Sequence, residues 1–180
     1  MKNILLITLC FCTLVVKAQT QTNINEINSL FSSYSSFRAV NYGDSFTPAK
    51  NLRITTNGTK LEITYELQPG IVLRKCSITL DIQKCRIDRD MFDARKLSIY
   101  SQAGIDYVEN SYEKDGKKYG SQKKEMLSYW RLETGNATLT DRLINGFLSI
   151  QTATKKQKIA PTPIHPLDNA EIDLITVSFT

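Results

Sequence analysis

The sequence predicts an α+β domain: an antiparallel sheet, or a small partly closed barrel, of about six to seven strands, packed by an N-terminal helix and a helix near the C-terminus. Three observations carry this. Two Asx-Gly dipeptides, Asn57-Gly58 and Asp115-Gly116, sit inside strand-like runs, the pattern of antiparallel hairpins. Apolar residues recur at helical spacing only on either side of this strand-rich region. Strands grouped together and followed by a helix, rather than alternating with helices, argue against a parallel sheet.

The chain has 180 residues, 41% hydrophobic and 23% charged, enough to enclose one core. It opens Met1-Lys2-Asn3, continues through the apolar run Ile4 to Val16, and then reads Lys17-Ala18-Gln19. A basic start, an apolar core shorter than the ~20 residues of a membrane span, and small residues behind it read as a secretory signal. Val16 and Ala18 suit the cleavage site, which places the cut after Ala18. The expected layout is a signal peptide (1–18), a single α+β domain (19–159) and an extended tail (160–180). Cys10 and Cys12 follow Leu9 and Phe11 rather than a small residue, which disfavours a lipid anchor. The expectation is therefore a soluble protein exported to the periplasm or the extracellular space, with an Asn-, Lys- and Ile-rich style that suits a bacterium. Loss of Lys2 and Lys17 lowers the formal charge from +5 to +3.

The elements follow in order. Asn23-Ile24-Asn25-Glu26 has the form of a capping box, and Ile24, Ile27, Leu30, Phe31 and Tyr34 form an apolar stripe to about Phe37. Turning the chain at Asn57-Gly58 sets Ile54 opposite Leu61, Leu52 opposite Ile63 and Arg53 opposite Glu62. From Ile71 to Asp88, Cys76, Ile78, Leu80 and Ile82 share one face and Cys85 and Ile87 the other, so a bulge or turn is expected near Lys84. Two strands, Leu97 to Tyr100 and Ile105 to Tyr112, are expected across a turn at Ser101–Gly104. The Asp115-Gly116 hairpin sets Glu113 against Lys118 and Tyr112 against Tyr119. Met126 to Glu133 forms a further strand, with Met126, Trp130 and Leu132 on one face. Thr138-Leu139-Thr140-Asp141 reads as a helix cap, followed by a stripe of Leu139, Leu143, Ile144, Phe147, Leu148 and Ile150 that runs past Gly146. Lys155, Lys156 and Lys158 lie just beyond that helix, where positive charge suits its dipole. Pro161, Pro163 and Pro166 hold the next segment extended, and Glu171 to Phe179 reads as a final strand apolar on both faces.

Chemical motifs are sparse. After signal removal only Cys76 and Cys85 remain, and an oxidising compartment would allow them to pair. A straight strand would hold them roughly 30 Å apart, so pairing requires a reversal between them; the other reading is two buried thiols. An EF-hand loop starting at Asp88 fails, since Phe92, Asp93 and Ile99 stand where Asp or Asn, Gly and Glu are needed. The acidic run Asp88, Asp90 and Asp93 reads instead as a solvated loop paired with Arg86, Arg89 and Arg95. The single His165 rules out a multi-His site, and neither a nucleophile elbow nor a Gly-rich phosphate loop is present. No metal, cofactor or catalytic residue is assigned. Lys117, Lys118, Lys123 and Lys124 are basic but interspersed with acids, so nucleic acid is not expected as a partner. Asn57-Gly58-Thr59 and Asn136-Ala137-Thr138 are glycosylation acceptors only in a eukaryotic secretory pathway.

The stretch Leu52 to Ala153 resembles exported, uncharacterised bacterial proteins with a strand-rich, pleckstrin-homology-like domain closed by a C-terminal helix. The resemblance rests on the two hairpins, on Arg74-Lys75-Cys76-Ser77-Ile78-Thr79-Leu80, and on Leu139-Thr140-Asp141-Arg142-Leu143-Ile144-Asn145-Gly146-Phe147-Leu148. It implies a small barrel or curved sheet capped by a helix, and no activity. The expected function is a non-catalytic exported domain that binds a protein partner, associates with the cell envelope, or self-associates through its C-terminal strand. A carrier of a small apolar ligand and a hydrolase of unknown specificity are the alternatives.

Overall fold

The computed structural model describes residues 2–41, 45–68, 70–113 and 115–159. The tail, with His165 and Glu171 to Phe179, lies outside the described residues. In order the elements are α1 (Lys2–Ser33), β1 (Arg38–Asn41), β2 (Ser45–Asn57), β3 (Lys60–Leu67), β4 (Leu73–Asp81), a 3-10 turn (Ile82–Lys84), β5 (Cys85–Arg89), β6 (Lys96–Tyr112), β7 (Lys118–Glu133) and α2 (Ala137–Ile159). The strands form one antiparallel sheet in the order β4-β3-β2-β1-β7-β6-β5, and β4 also pairs with the distal half of β6, so the sheet partly closes into a ring. This is the α+β architecture expected. Among the described residues no helix is long and apolar enough to cross a membrane.

The N-terminal helix does not start at the Asn23 capping box. It runs unbroken from Lys2, because nothing between Lys2 and Ser33 is Gly or Pro and the apolar leader is itself a competent helix former. Its described buried side chains begin at Thr20 and continue through Ile24, Ile27, Leu30 and Phe31, whereas Lys17, Ala18 and Gln19 are exposed. Tyr34, expected on the stripe, falls past the helix end and is exposed; Phe37 takes its place in the core and meets Phe31 edge-on at 5.2 Å.

Both hairpins form, with registers other than those expected. In the first, Asn57 pairs with Lys60 and Ile54 with Ile63, so the turn is Gly58-Thr59. Gly58 has φ 63° while Asn57 does not enter positive φ, which is the type II′ rather than the I′ pattern. Arg53 therefore meets Thr64, and Glu62 accepts a hydrogen bond from Thr55 instead of facing an arginine. In the second, Tyr112 pairs with Lys118 and Ser111 with Tyr119. The Gly116 N–H donates to the Glu113 carbonyl and the Glu113 N–H to the Lys117 carbonyl, a three-residue loop closed by Gly116 at φ 84°.

The change of face near Lys84 is the 3-10 turn itself: Cys76, Ile78, Leu80 and Ile82 are buried before it, Cys85 and Ile87 after it. The expected turn at Ser101–Gly104 is instead a bulge within one continuous strand, β6, because the same strand β7 pairs with it on both sides of the interruption. The slip between Tyr100 and Ile105 also inverts the faces of β7. Trp130 and Leu132 point inward, but beyond the slip the inward set is Leu127, Glu125 and Lys123. Met126, expected in the core, is 70% exposed, its thioether lying over Gly104.

Asn136, not Thr138, caps α2: its side-chain oxygen accepts the N–H groups of Thr138 and Leu139. The helix buries Leu139, Leu143, Phe147, Ile150 and Ala153 while Leu148 is exposed, and it runs to Ile159, so the lysines lie within its last turns. Gly146 marks its closest approach to α1, where a Cβ would stand 2.7 Å from Ile27 Cγ1 and 2.9 Å from Cδ1. Gly146→Ala gains about 1 kcal/mol of helix propensity, but overpacking costs about 1–3 kcal/mol. Net destabilisation is expected in the parent, and stabilisation in an Ile27→Ala background where both clashing atoms are gone. Urea unfolding of the four proteins in a double-mutant cycle measures this; a more stable Gly146→Ala in the parent would show that the helices are not in contact there.

Candidate functional site

Antiparallel pairing puts opposed residues on the same face, so the ring interior can be read row by row. Nearest the helices, Leu61 pairs with Leu80. The next row is Ile63, Ile78, Tyr107 and Glu125, and the next is Tyr65, Cys76, Glu109 and Lys123. Last comes Leu67, Arg74, Ser111 and Tyr119. The interior is thus aliphatic at the helix-covered end and polar toward the hairpin end.

The two middle rows form a hydrogen-bonded network. Glu109 is 9% exposed, and a carboxylate so placed needs partners to offset its desolvation. The Tyr107 hydroxyl donates to its Oε2 at 2.5 Å, and Arg74 Nε lies 3.5 Å from its Oε1. Cys76 Sγ lies 3.6 Å from the Tyr107 hydroxyl. Trp130 Nε1 donates to the Tyr65 hydroxyl at 3.3 Å, with the two rings tilted and 6.0 Å apart. Burial foremost, then the hydrogen bond to Glu109, holds the Tyr107 phenol well above its ordinary pKa; burial does the same for Tyr65.

This arrangement braces β3, β4, β6 and β7 against one another. It is not laid out for nucleophilic attack: Cys76 is buried against a phenol and, through it, a carboxylate, whereas a reactive thiolate needs positive charge and access. Cys85 is a separate buried thiol that donates to the Asp81 carbonyl at 3.2 Å, and burial foremost raises its pKa. Cys76 pairs with Glu109 and Cys85 with Ser101 along β6, about 15 Å apart even allowing for the bulge, too far for a disulfide.

A second feature lies on the loop from β5 to β6. Asp90 accepts the Phe92 N–H, and the Asp90 N–H donates to the Lys96 carbonyl. Asp93 accepts the Arg95 N–H and both its Nε and a terminal nitrogen, and its other oxygen lies 3.3 Å from Lys96 Nζ. Those hydrogen bonds from Arg95 hold the Asp93 carboxyl well below the usual carboxylate range. The Thr134 N–H secures the Arg95 carbonyl. The acidic run is therefore salt-bridged, with Arg86 on Asp88 and Arg95 on Asp93 as expected, but Arg89 pairs instead with Asp141 of α2 and Arg131 stands beside Asp90. Among the described residues no group of three His, Cys, Asp or Glu could hold a metal ion.

What the sequence reading missed is what this braced loop carries. Met91 and Phe92 are 85% and 89% exposed, the most exposed large apolar side chains described. Asp90 also lies 3.9 Å from Arg131, which stacks on Tyr129 at 4.7 Å; Tyr129 adjoins Tyr100, and Arg86 stacks on Tyr100 at 4.8 Å. The tip thus continues into an Arg–Tyr–Tyr–Arg ladder on the outer face of β5, β6 and β7. Two adjacent large apolar residues inside a charged turn were the available signal. A third feature is a groove of about 450 Å³ between the β3–β4 loop and the β6–β7 hairpin, lined by Ile71, Leu73, Lys75 and Tyr112 among others.

No protein-family model matches the chain, and no curated protein or solved structure matches it.

The raised phenols carry a pH signature. Above about pH 10 the unfolded chain loses the Tyr65 and Tyr107 protons while the folded chain keeps them. Stability is then complete below about pH 10 and falls above it, by up to ~1.4 kcal/mol per pH unit for each phenol. Tyr65→Phe and Tyr107→Phe are each expected to flatten that slope, whatever they do to stability at neutral pH. Urea unfolding at a series of alkaline pH values measures it, and an unchanged slope in both variants would place the phenols in solvent.

Proposed function

We propose that this is a non-catalytic binding domain that acts outside the cytoplasm and engages a protein partner through the Met91–Phe92 tip and the ladder behind it. The observation that supports this reading is the exposure of two large apolar side chains on a loop already fixed by its own hydrogen bonds. Ordering the loop costs nothing further on binding, so anchor residues presented this way convert more of their burial into affinity. Met, Phe, Tyr and Arg are also the residue types enriched at the centres of protein interfaces. The salt bridges around the tip suit a polar rim that excludes water.

A photo-crosslinking residue at position 92, in cells that make the protein, is expected to give one discrete adduct, and the same residue at Thr55 none. Met91→Ser and Phe92→Ser, placed separately beside a crosslinker at the other position, are expected to reduce that adduct at least tenfold. Both should shift unfolding free energy by less than about 0.5 kcal/mol, since neither side chain is packed. A crosslinker at 92 that gives only background would sink the reading.

Export is the second part of the proposal. It is supported by the leader pattern of residues 1–18. Removal of residues 1–18 leaves Ile24, Ile27 and their neighbours in place. Intact-mass analysis of the protein from the cell exterior or periplasm is expected to give a chain that begins at Gln19. Recovery only from the cytoplasm with Met1 retained would contradict it.

A further inference from the structure

Each edge of a sheet presents unpaired N–H and C=O groups that must be covered, paired or protected. Here the edges can be followed one at a time. The edge of β5 is covered by α2: Gln151 Nε2 donates to the carbonyls of Ile82 and Cys85 at 2.7 and 2.9 Å, and Asp141 is paired with Arg89. The edge of β2 beyond β1 is covered by α1, where the Asn28 amide accepts the Ile54 N–H at 2.8 Å and donates to the Ile54 carbonyl at 3.0 Å. On β7 the situation differs. One side pairs with β6 from Lys118 to Glu133, but the other pairs with β1 only over Arg131–Glu133. From Lys118 to Tyr129, no strand or helix among the described residues pairs with that second side.

We propose that this edge of β7 is the docking site of the same chain's segment Glu171 to Phe179, added as a further antiparallel or parallel strand. Three observations converge on that occupant. The first is charge. On that stretch Lys123 is paired with Glu125 on the inner face, which leaves Lys118 and Lys124 as the basic residues of the edge, whereas residues 159–180 contain Asp168, Glu171 and Asp173 and neither Lys nor Arg. A lysine-rich edge rejects indiscriminate strand pairing and accepts an acidic strand, which is how such an edge becomes selective.

The second is the pattern of faces. Met126 is exposed on the outer side of β7 and Leu127 is half-buried on the inner side, so an incoming strand meets apolar neighbours on both. Glu171-Ile172-Asp173-Leu174-Ile175-Thr176-Val177-Ser178-Phe179 alternates Ile172 and Leu174 with Ile175, Val177 and Phe179, apolar on both faces and free of Pro and Gly. A strand with two apolar faces is unsuited to an edge with only one.

The third is reach. Helix α2 ends at Ile159, and residues 160–170 span up to about 35 Å when extended, the conformation favoured by Pro161, Pro163 and Pro166. A tether of that length holds the strand at an effective concentration of order millimolar, above that of a second copy in dilute solution.

Amide hydrogen exchange on the mature chain, 19–180, tests this. Amides of residues 118–129 that point away from β6 are expected to be protected at least tenfold, independently of protein concentration. Ile172→Pro with Val177→Pro should abolish that protection and leave β3 and β4 unchanged. Lys124→Glu should weaken it, and Asp173→Lys in the same chain should restore it. Unprotected outward amides in the parent, or protection that survives the proline pair, would overturn the proposal. Protection that appears only as concentration rises would assign the edge to a second copy and overturn it equally.

Discussion

The contact between α1 and α2 at Gly146 is the constraint on which the rest of the fold depends. Open main-chain groups at Ile54 of β2 and at Ile82 and Cys85, where the 3-10 turn enters β5, are each met by one helical amide side chain. An amide reaches only a few ångströms, so both helices must lie close against their edges at the same time. They also bury Ile27, Phe147 and Ile150 against each other and the sheet. A methyl group at position 146 would press on Ile27, and Asn28, the next residue, would then be drawn away from Ile54. An unsatisfied buried N–H or C=O costs about 1–3 kcal/mol, so a sub-ångström displacement is amplified into a large fraction of the stability of a small domain. Gly146 is a poor helix former tolerated because it permits that approach.

Curvature is the second demand. Strands that wrap into a partial ring need places where one side gains residues over the other. The sheet meets this three times, at Asn51 with φ 54° on β2, at Ser101–Gly104 on β6 and around Gly120 on β7. The slips on β2 and β6 reassign faces, and the β6 slip does so with consequence. It sends Met126 out to solvent and turns Glu125 and Lys123 inward, which makes the hairpin end of the interior polar. The buried Glu109 is then tolerable because Tyr107, Arg74 and the mixed-charge row beside it replace the water it has lost. The polarity gradient of the ring is thus a product of where the bulges fall.

These same slips mark the limit of what the sequence makes legible. Helix stripes, the even-to-odd switch at the 3-10 turn and both hairpins follow from local periodicity and were readable. Register was not, for a reason of parity. Moving the first hairpin turn from Asn57-Gly58 to Gly58-Thr59 shifts every pair by two, which leaves Ile54, Leu61 and Ile63 on the same face in either case. The hydrophobic pattern cannot separate them; the backbone angle at Gly58 does. At the second hairpin both faces of the tip are polar, so the pattern carries little weight either way. The interior network was half legible. Alternation puts Glu109 on one face with Ile105 and Tyr107, but its neighbours Arg74 and Cys76 both come from another strand, β4, through the non-local β4–β6 pairing. Met91 and Phe92 were visible as residues. Their exposure depends on hydrogen bonds to Asp90, Asp93 and Thr134 that no local pattern encodes.

The two ends of the ring have opposite requirements, and the chain meets them with different materials. At the helix-covered end the interior is aliphatic, the edges are closed by Asn28 and Gln151, and solvent is excluded. An isolated helix as short as the packed portion of α1 would be marginal in water. It is held by α2 and β2 through buried side chains that include Thr20, Ile24, Ile27, Leu30 and Phe31. At the hairpin end the interior is charged, the basic edge of β7 has no strand partner among the described residues from Lys118 to Tyr129, and apolar side chains such as Tyr119 and Met126 lie open to solvent. Exposed apolar groups on a bare edge would favour aggregation were the edge not lysine-rich. Lysines alone do not satisfy the outward main-chain groups, which remain competent to pair. The chain itself carries an acidic, two-faced segment tethered to α2 by residues 160–170, and covering β7 with it would answer that edge in the way α1 and α2 answer the other two, with main chain instead of side-chain amides.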